Sequence, residues 1–309
     1  MIRYYNEEDR KDVLNIFNQS QHSPMSLERF RTLDQEAQRS DYWKRLVLEV
    51  ENSIVAYANL IKRPGLRNGY LFATIQVDVN HRRKGYGTAL WHRLWKIIQD
   101  QKPKGLETVI LDTDIASKKW AESKGFRLRF HQFDSILDLT NHCPRFQLSE
   151  VPITCHGVKY VSLSNESHKD QWNRLYHLFL QLCKDTPDFY GVEELNIDFA
   201  KHFLSSSGIR ADGIWIAKDA DKWIGMTVLR DISKKEMWNA FTGVCSDYRG
   251  RGIASILKSI AADYAYSQNV NILRTFNLSV NKGILKINQR MGYIPQPGRW
   301  IMERSFIVP

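Results

Sequence analysis

The chain has 309 residues, 43% hydrophobic and 12% aromatic, with 44 Lys and Arg against 34 Asp and Glu for a formal net charge of +10. That length and apolar content suit one large domain or two ordinary ones with real cores, and they exclude wholesale disorder. The positive balance favours an anionic partner, whether nucleic acid, acidic membrane or a phosphorylated small molecule. The four cysteines (Cys143, Cys155, Cys183 and Cys245) form no Cys-x-x-Cys pair, and His81, His92, His131 and His202 lack ligand-like spacing, so no metal is expected. The N-terminus does not read as a secretory signal and no 18-residue apolar run occurs, which points to a reduced, cytoplasmic protein without a membrane span.

In chain order, Ile2 to Tyr5 reads as a short strand, and Asn6 caps a helix through Val13, Leu14, Ile16 and Phe17. A second helix is expected over 26–40, then a hairpin of strands 45–50 and 54–61. Strand 70–79 leads into the loop His81-Arg82-Arg83-Lys84-Gly85-Tyr86-Gly87-Thr88, which opens a helix to Gln101. Strand 107–111, helix 115–124, the break at Gly125-Phe126 and extended chain to Leu139 complete the first half. Residues 141–157 lack periodicity and read as a linker.

The same order then repeats. Strand 158–163 precedes a helix carrying Trp172, Leu175, Leu178, Phe179 and Leu182. A hairpin of strands 213–218 and 222–229 follows, then strand 237–242. The loop Tyr248-Arg249-Gly250-Arg251-Gly252-Ile253-Ala254 opens helix 253–266, with strand 272–277, helix 282–290 and a last strand 299–306 beyond it. We therefore expect two tandem α+β domains, 1–145 and 146–309, each a mixed, mostly antiparallel sheet flanked by helices.

Both loops join a strand to a helix and interleave glycine with arginine or lysine. Glycine permits a tight turn and close approach of a ligand, and the helix start offers unpaired N–H groups at a positive dipole end. Such a loop suits a phosphate or pyrophosphate. It lacks the Gly-Lys-Ser/Thr ending of a Walker loop and the Gly-x-Gly-x-x-Gly of a dinucleotide fold. Taken alone, His81 to Lys84 could also be a basic patch for nucleic acid, but its strand–loop–helix setting favours a small anionic ligand.

Arg249, Gly252 and Ala254, and likewise Arg82, Gly85 and Gly87, fill the pattern Arg/Gln-x-x-Gly-x-Gly/Ala, and each half ends in a helix followed by Gly-Tyr or Gly-Phe. The chain thus resembles the Gcn5-related N-acetyltransferases over nearly its whole length, as two such domains in tandem. The runs Thr242-Gly243-Val244, Thr275-Phe276-Asn277 and Ile287-Asn288 before Gly292-Tyr293 resemble a bacterial tandem group that includes the mycothiol synthases.

That resemblance implies acetyl-CoA as co-substrate and a small amine as acceptor, with no metal and with a monomer or homodimer as the working form. It assigns cofactor binding to Thr242, Val244, Arg249, Gly250, Arg251, Gly252, Ile253, Ala254 and Asn281 in the second half. In the first half it assigns Val77, Val79, Arg82, Arg83, Lys84, Gly85, Tyr86, Gly87 and Thr88. Many family members place a tyrosine in the late helix as general acid; here that position is Asn288 in one half and Ala121 in the other. Asn288 can still hydrogen-bond a sulfur and Ala121 cannot, so the second half is expected to be catalytic. Asp185 is the candidate base, from the region where the family places acceptor loops. Asp231 and Glu236 flank the strand before the loop and are further carboxylates, while Cys245 is expected to pack. The alternatives are a non-catalytic acyl-CoA-binding sensor, an acetyltransferase acting on protein amines, or a nucleic-acid binder driven by charge.

Overall fold

Half of the described α-helices, and the short turn before the first of them, begin where the sequence supplies an acceptor for their first N–H groups. Asn6 accepts from the N–H groups of Glu8 and Asp9, and Asp9 accepts in return from the Asn6 N–H, a reciprocal cap at the first helix. Ser26, Asp114, Asn196 and Asn281 cap four later helices through their side chains. The computed structural model describes residues 1–21, 24–63, 66–148, 152–167, 169–187 and 195–306.

The chain divides into two compact units, Met1–Arg129 with Arg299–Pro309, and Phe130–Gly298. Along the first lie β1 (Ile2–Tyr4), α1 (Arg10–Asn18), α2 (Leu27–Gln38), β2 (Trp43–Val50), β3 (Ser53–Ile61), β4 (Tyr70–Val77), α3 (Tyr86–Gln101), β5 (Gly105–Leu111) and α4 (Ile115–Ser123). Then come β6 (Arg127–Asp138), β7 (Ile153–Cys155), β8 (Val158–Ser162), α5 (Gln171–Cys183), α6 (Ile197–Leu204), β9 (Ile209–Asp219) and β10 (Lys222–Ser233). They continue as β11 (Glu236–Val244), α7 (Ile253–Ser267), β12 (Ile272–Leu278), α8 (Lys282–Arg290) and β13 (Ile294–Pro295). The final strand, β14 (Arg299–Ser305), belongs to the first unit.

The first unit orders its strands β1-β2-β3-β4-β5-β14, antiparallel except for β4 beside β5. The second runs β6-β12-β11-β10-β9-β8-β7, antiparallel except for β11 beside β12, with β13 also on β6. Each sheet is mixed, mostly antiparallel and flanked by helices, the architecture the two halves of the sequence predict. The border strand of each sheet comes from the other half of the sequence. Ser305 to Arg299 pair with Gly105 to Leu111, and Asp138 to Gln132 pair with Ile272 to Leu278.

Alternation along the strands divides each core into two faces. In β9, Ile214 and Ile216 pack with α5 and α6, while Trp215 and Ala217 pack with Ile253, Ile256, Leu257 and Ile260 of α7. In β2, Leu46 and Leu48 pack with Leu90 and Leu94 of α3, and Val47 packs with Val13 and Ile16 of α1. The stretch 141–157, expected to be linker throughout, contains β7, which pairs with β8 across His156 and Gly157, both at positive φ. Three residues are too few to show a period, so the two-residue turn is the only local signal. Helix α6 was likewise not expected; it is short, and Asn196 capping it is its clearest mark.

Candidate functional site

The site begins as a parting of strands. β11 stays paired with β10 through Val244, opposite Gly225, but with β12 only from Glu236 to Asn239. β4 stays with β3 through Val77, opposite Ala56, but with β5 only from Tyr70 to Phe72. Residues 240–244 and 73–77 therefore carry a backbone edge that the parallel neighbour no longer pairs.

The ladder fixes which groups face that opening. The Cys245 N–H donates to the Ile224 carbonyl at 2.9 Å, so the Val244 N–H and carbonyl turn to the opposite side, toward the opening. In the first unit the Asp78 N–H donates to the Val55 carbonyl at 2.9 Å and turns Val77 likewise. The first arginine of each loop folds back onto that same residue. Arg249 Nε donates to the Val244 carbonyl at 3.0 Å, and Arg82 Nε to the Val77 carbonyl at 3.4 Å. Each arginine also meets a carboxylate: Arg249 reaches Asp185 at 2.6 Å, and Arg82 reaches Asp114 at 3.4 Å. The arginines thus occupy the carbonyl and leave the N–H of Val244 and Val77 turned to the opening.

Beyond the strands, Gly252 (φ +81°) and Gly85 (φ +83°) stand in left-handed conformation at the starts of α7 and α3. Two residues earlier, Gly250 is at φ +78° and its counterpart Arg83 at φ +63°, a costlier conformation for a residue with a side chain. A Cβ on Gly85, Gly250 or Gly252 would meet none of the described residues within 4 Å, so conformation rather than crowding demands glycine, and no described residue fills the space directly above these positions. Neither α3 nor α7 has a side-chain cap, so their first-turn N–H groups and positive dipole ends point into that space.

The structure brings most of the predicted residues to these two places. Gly250, Arg251, Gly252, Ile253 and Ala254 form the second loop and helix start; Ile253 itself is buried in the core, so only its backbone reaches the loop. Arg251 donates to the Asp247 carbonyl at 3.1 Å and lies over the Tyr248 ring at 5.0 Å. Arg83 and Lys84 are exposed on the first loop, followed by Tyr86, Gly87 and Thr88 in the first turn of α3. Val79 lies in the short turn before that loop, its N–H donating to Gln19. Asn281 caps α8, accepting from the Ile284 N–H at 3.4 Å. Asp231 lies 3.6 Å from Arg210, and Glu236 pairs with Arg274 at 2.7 Å. Cys245 is buried and burial pushes its thiol up, as it does for Cys183, which reaches about 12.

Asn288 is 3% exposed, donates from Nδ2 to Asn277 Oδ1 at 2.6 Å, and among the described residues its Oδ1 has no partner. Asn277 in turn donates to Ser135 Oγ at 2.9 Å. Thr242 does not point its hydroxyl at the loop. It bonds Thr227 Oγ1 at 2.8 Å and Asn239 Oδ1 at 3.1 Å, in a buried polar group that also contains Lys258. Sequence reading passed over Lys258 and Asn239. The available signal was a lysine in a helix whose face is otherwise Ile256, Leu257, Ile260, Ala261 and Ala262.

Among the described residues no group of three or more His, Cys, Asp and Glu is placed to hold a metal, and no helix is long and apolar enough to cross a membrane.

A family model described as the acetyltransferase (GNAT) family matches residues 10–126 and again 172–293. Among solved structures, a GCN5-related N-acetyltransferase from Sphaerobacter thermophilus superposes with a TM-score of 0.69 at 17% identity, over 99% of this chain and 95% of that one. A tandem GNAT protein from the clavulanic acid biosynthesis pathway gives a TM-score of 0.61 at 15% identity, over 100% of both chains. A glucosamine N-acetyltransferase region of a fungal multi-domain β-N-acetylglucosaminidase gives 0.67 at 15% identity, over 98% of this chain and 38% of that one. No curated protein matches by sequence. At these identities the structures speak for the fold, and they do not separate out the mycothiol-synthase-like group.

Proposed function

The chain belongs to the acetyltransferase (GNAT) family, and from that premise we propose that it moves an acetyl group from acetyl-CoA to the amine of a small molecule, with the second unit catalytic. The observation that carries this reading is the parted β11 edge running directly into the uncapped, glycine-started α7. The residues fit the co-substrate: an unpaired strand edge for an amide-bearing arm, then open space at Gly250 and Gly252 for a pyrophosphate. Acetyl-CoA, when bound, supplies the activated thioester. The N–H groups of the loop and first turn of α7 hold the pyrophosphate through charge-assisted bonds worth ~1.5–3 kcal/mol each before desolvation. The Val244 N–H, turned to the opening, donates to the thioester carbonyl oxygen. Asn288 keeps a second Nδ2 hydrogen beside the one given to Asn277, and we assign it to the departing sulfur. Asp185, held by Arg249 at the end of α5, is assigned to take the proton of the attacking amine.

Protein domains 1–145 and 146–309 are proposed as the duplicated units of sequence, with their border strands exchanged in the fold. The first unit has the same parting and loop but Ala121 in place of Asn288, and Asp114 beside Arg82. It is proposed to bind or support rather than to catalyse.

The test is release of free CoA thiol from acetyl-CoA with a panel of small amines, for Gly252→Glu and Gly85→Glu separately. Gly252→Glu should abolish turnover by placing a carboxylate in the pyrophosphate space, while Gly85→Glu leaves most of it. The reverse pattern would transfer catalysis to the first unit, and no thiol release with any amine in the wild type would favour a binding protein.

A further inference from the structure

The two units differ most in what lies beneath the parting. In β11, Val228 faces Phe241 and Leu229 faces Asn239, so Ala240 is an extra, bulged residue where the strand turns away from β12. The β3–β4 register shows no such shift between Phe72 and Val77. The Asn239 side chain holds the bulge from inside. Its Nδ2 lies 2.7 Å from Thr227 Oγ1, 3.3 Å from the Val228 carbonyl and 3.2 Å from the Phe241 carbonyl, spanning the residues on both sides of Ala240. Its Oδ1 accepts from Thr242 Oγ1 at 3.1 Å and from Lys258 Nζ at 2.7 Å.

Lys258 is 1% exposed, faces the Tyr293 ring at 4.9 Å, and pairs with no carboxylate among the described residues. Burial pushes its amine down to about 7. Six residues after the other cap glycine, Gly85, the first unit has Trp91, which packs on Phe126 at 6.0 Å as Lys258 packs on Tyr293. The corresponding strand stretch there holds Phe72 and Ala73, and the late helix holds Ala121. One unit thus has an apolar core at this place, and the other has a lysine, two asparagines and two threonines. Burying an amine without a counter-charge is costly, and an apolar solution evidently fits the same fold.

We propose that Lys258 is a positioning residue for acetyl transfer: by donating to Asn239 it fixes the side chain that holds the bulge, and so sets the course of residues 241–244 and the direction of the Val244 N–H. The bulge is the last feature before the strand edge that receives the co-substrate, so its position decides how that N–H meets the thioester. This rests on the acetyl-CoA reading of the second unit.

The test is Lys258→Met in the full chain, with acetyl-CoA, which carries the thioester, as the calorimetric probe, urea unfolding as the stability readout, and backbone hydrogen exchange as the local one. Expected are a variant at least as stable as the wild type, acetyl-CoA binding weaker by about 5- to 10-fold, the loss of about one hydrogen bond's worth of preorganisation, and faster exchange confined to residues 239–244. Should that variant fail to fold, Thr242→Val removes a different donor from the same Asn239 oxygen, and acetyl-CoA binding should weaken by about 2- to 5-fold with the fold kept. Unchanged acetyl-CoA affinity in a folded Lys258→Met or Thr242→Val would overturn the proposal and leave the lysine a packing residue. A wild type that binds no CoA would overturn the functional reading itself, and with it this role.

Discussion

Lys258 makes a quantitative prediction about stability against pH. Its amine titrates near 7 in the folded chain, against 10.5 for an ordinary lysine, because burial penalises the charged form. Between those values the unfolded chain binds a proton that the folded chain does not. Unfolding therefore takes up protons, and the contribution of this group to stability rises with pH from about 7 toward 10.5. The limiting slope is tenfold in the folding constant per pH unit, and the full span is on the order of 4–5 kcal/mol. Below pH 7 both forms are protonated and the penalty is constant. The assay is urea unfolding of the wild type and Lys258→Met at pH 6, 7, 8 and 9. Taking the difference between the two proteins cancels Cys183 and Cys245, whose raised thiols act in the opposite direction near pH 9. The excess stability of the methionine variant should be greatest at pH 6–7 and shrink above it, approaching a tenfold change in the folding constant per pH unit. A difference that stays flat from pH 7 to 9 would mean that the amine is not held neutral by burial, and the reasoning would be wrong.

Further outcomes follow from single contacts. Asp185→Asn should lower kcat for amine acetylation by about 100-fold if the carboxylate takes the proton; a loss under about threefold would reduce it to an exposed ion pair with Arg249. Asn288→Ala should cut kcat about tenfold with little change in KM for acetyl-CoA, and an equal rise in KM would instead indicate a collapsed pocket. Asp263, 2% exposed on α7, accepts from His142 Nε2 at 2.7 Å and from the N–H groups of Arg145 and Phe146 at 3.1 and 2.9 Å. Asp263→Ala should cost about 3 kcal/mol in urea unfolding by orphaning three donors, and a cost below about 1 kcal/mol would show that water replaces the carboxylate.

The loops were legible because their geometry is written in residue types. A strand that must reverse into a helix needs left-handed backbone, and Gly85, Gly250 and Gly252 supply it. Element order and the mixed character of each sheet were legible for a similar reason, since the periods are local. The bulge at Ala240 was not, because one extra residue in a strand leaves the alternation of its neighbours nearly intact. Nor was the tie between Asp185 and Arg249, 64 residues apart, since nothing local couples the end of α5 to a loop. Lys258 was hidden by a reasonable assumption: a lysine on a helix is ordinarily solvated, and only packing on both sides of α7 makes this one an exception. The strand exchange was invisible because residues 127–138 and 299–305 follow their helices through the same Gly-aromatic break, and pattern does not say which sheet receives them.

That exchange has a consequence for how the chain is made. The first sheet ends at β5 until Arg299 to Ser305 arrive, about 190 residues later in synthesis. At ~5–20 residues per second, a ribosome leaves that edge bare for roughly ten to forty seconds. An uncovered strand edge is a template for pairing with other chains. The polypeptide that emerges first is therefore the last to be finished, and its vulnerable interval is set by the length of the unit inserted within it.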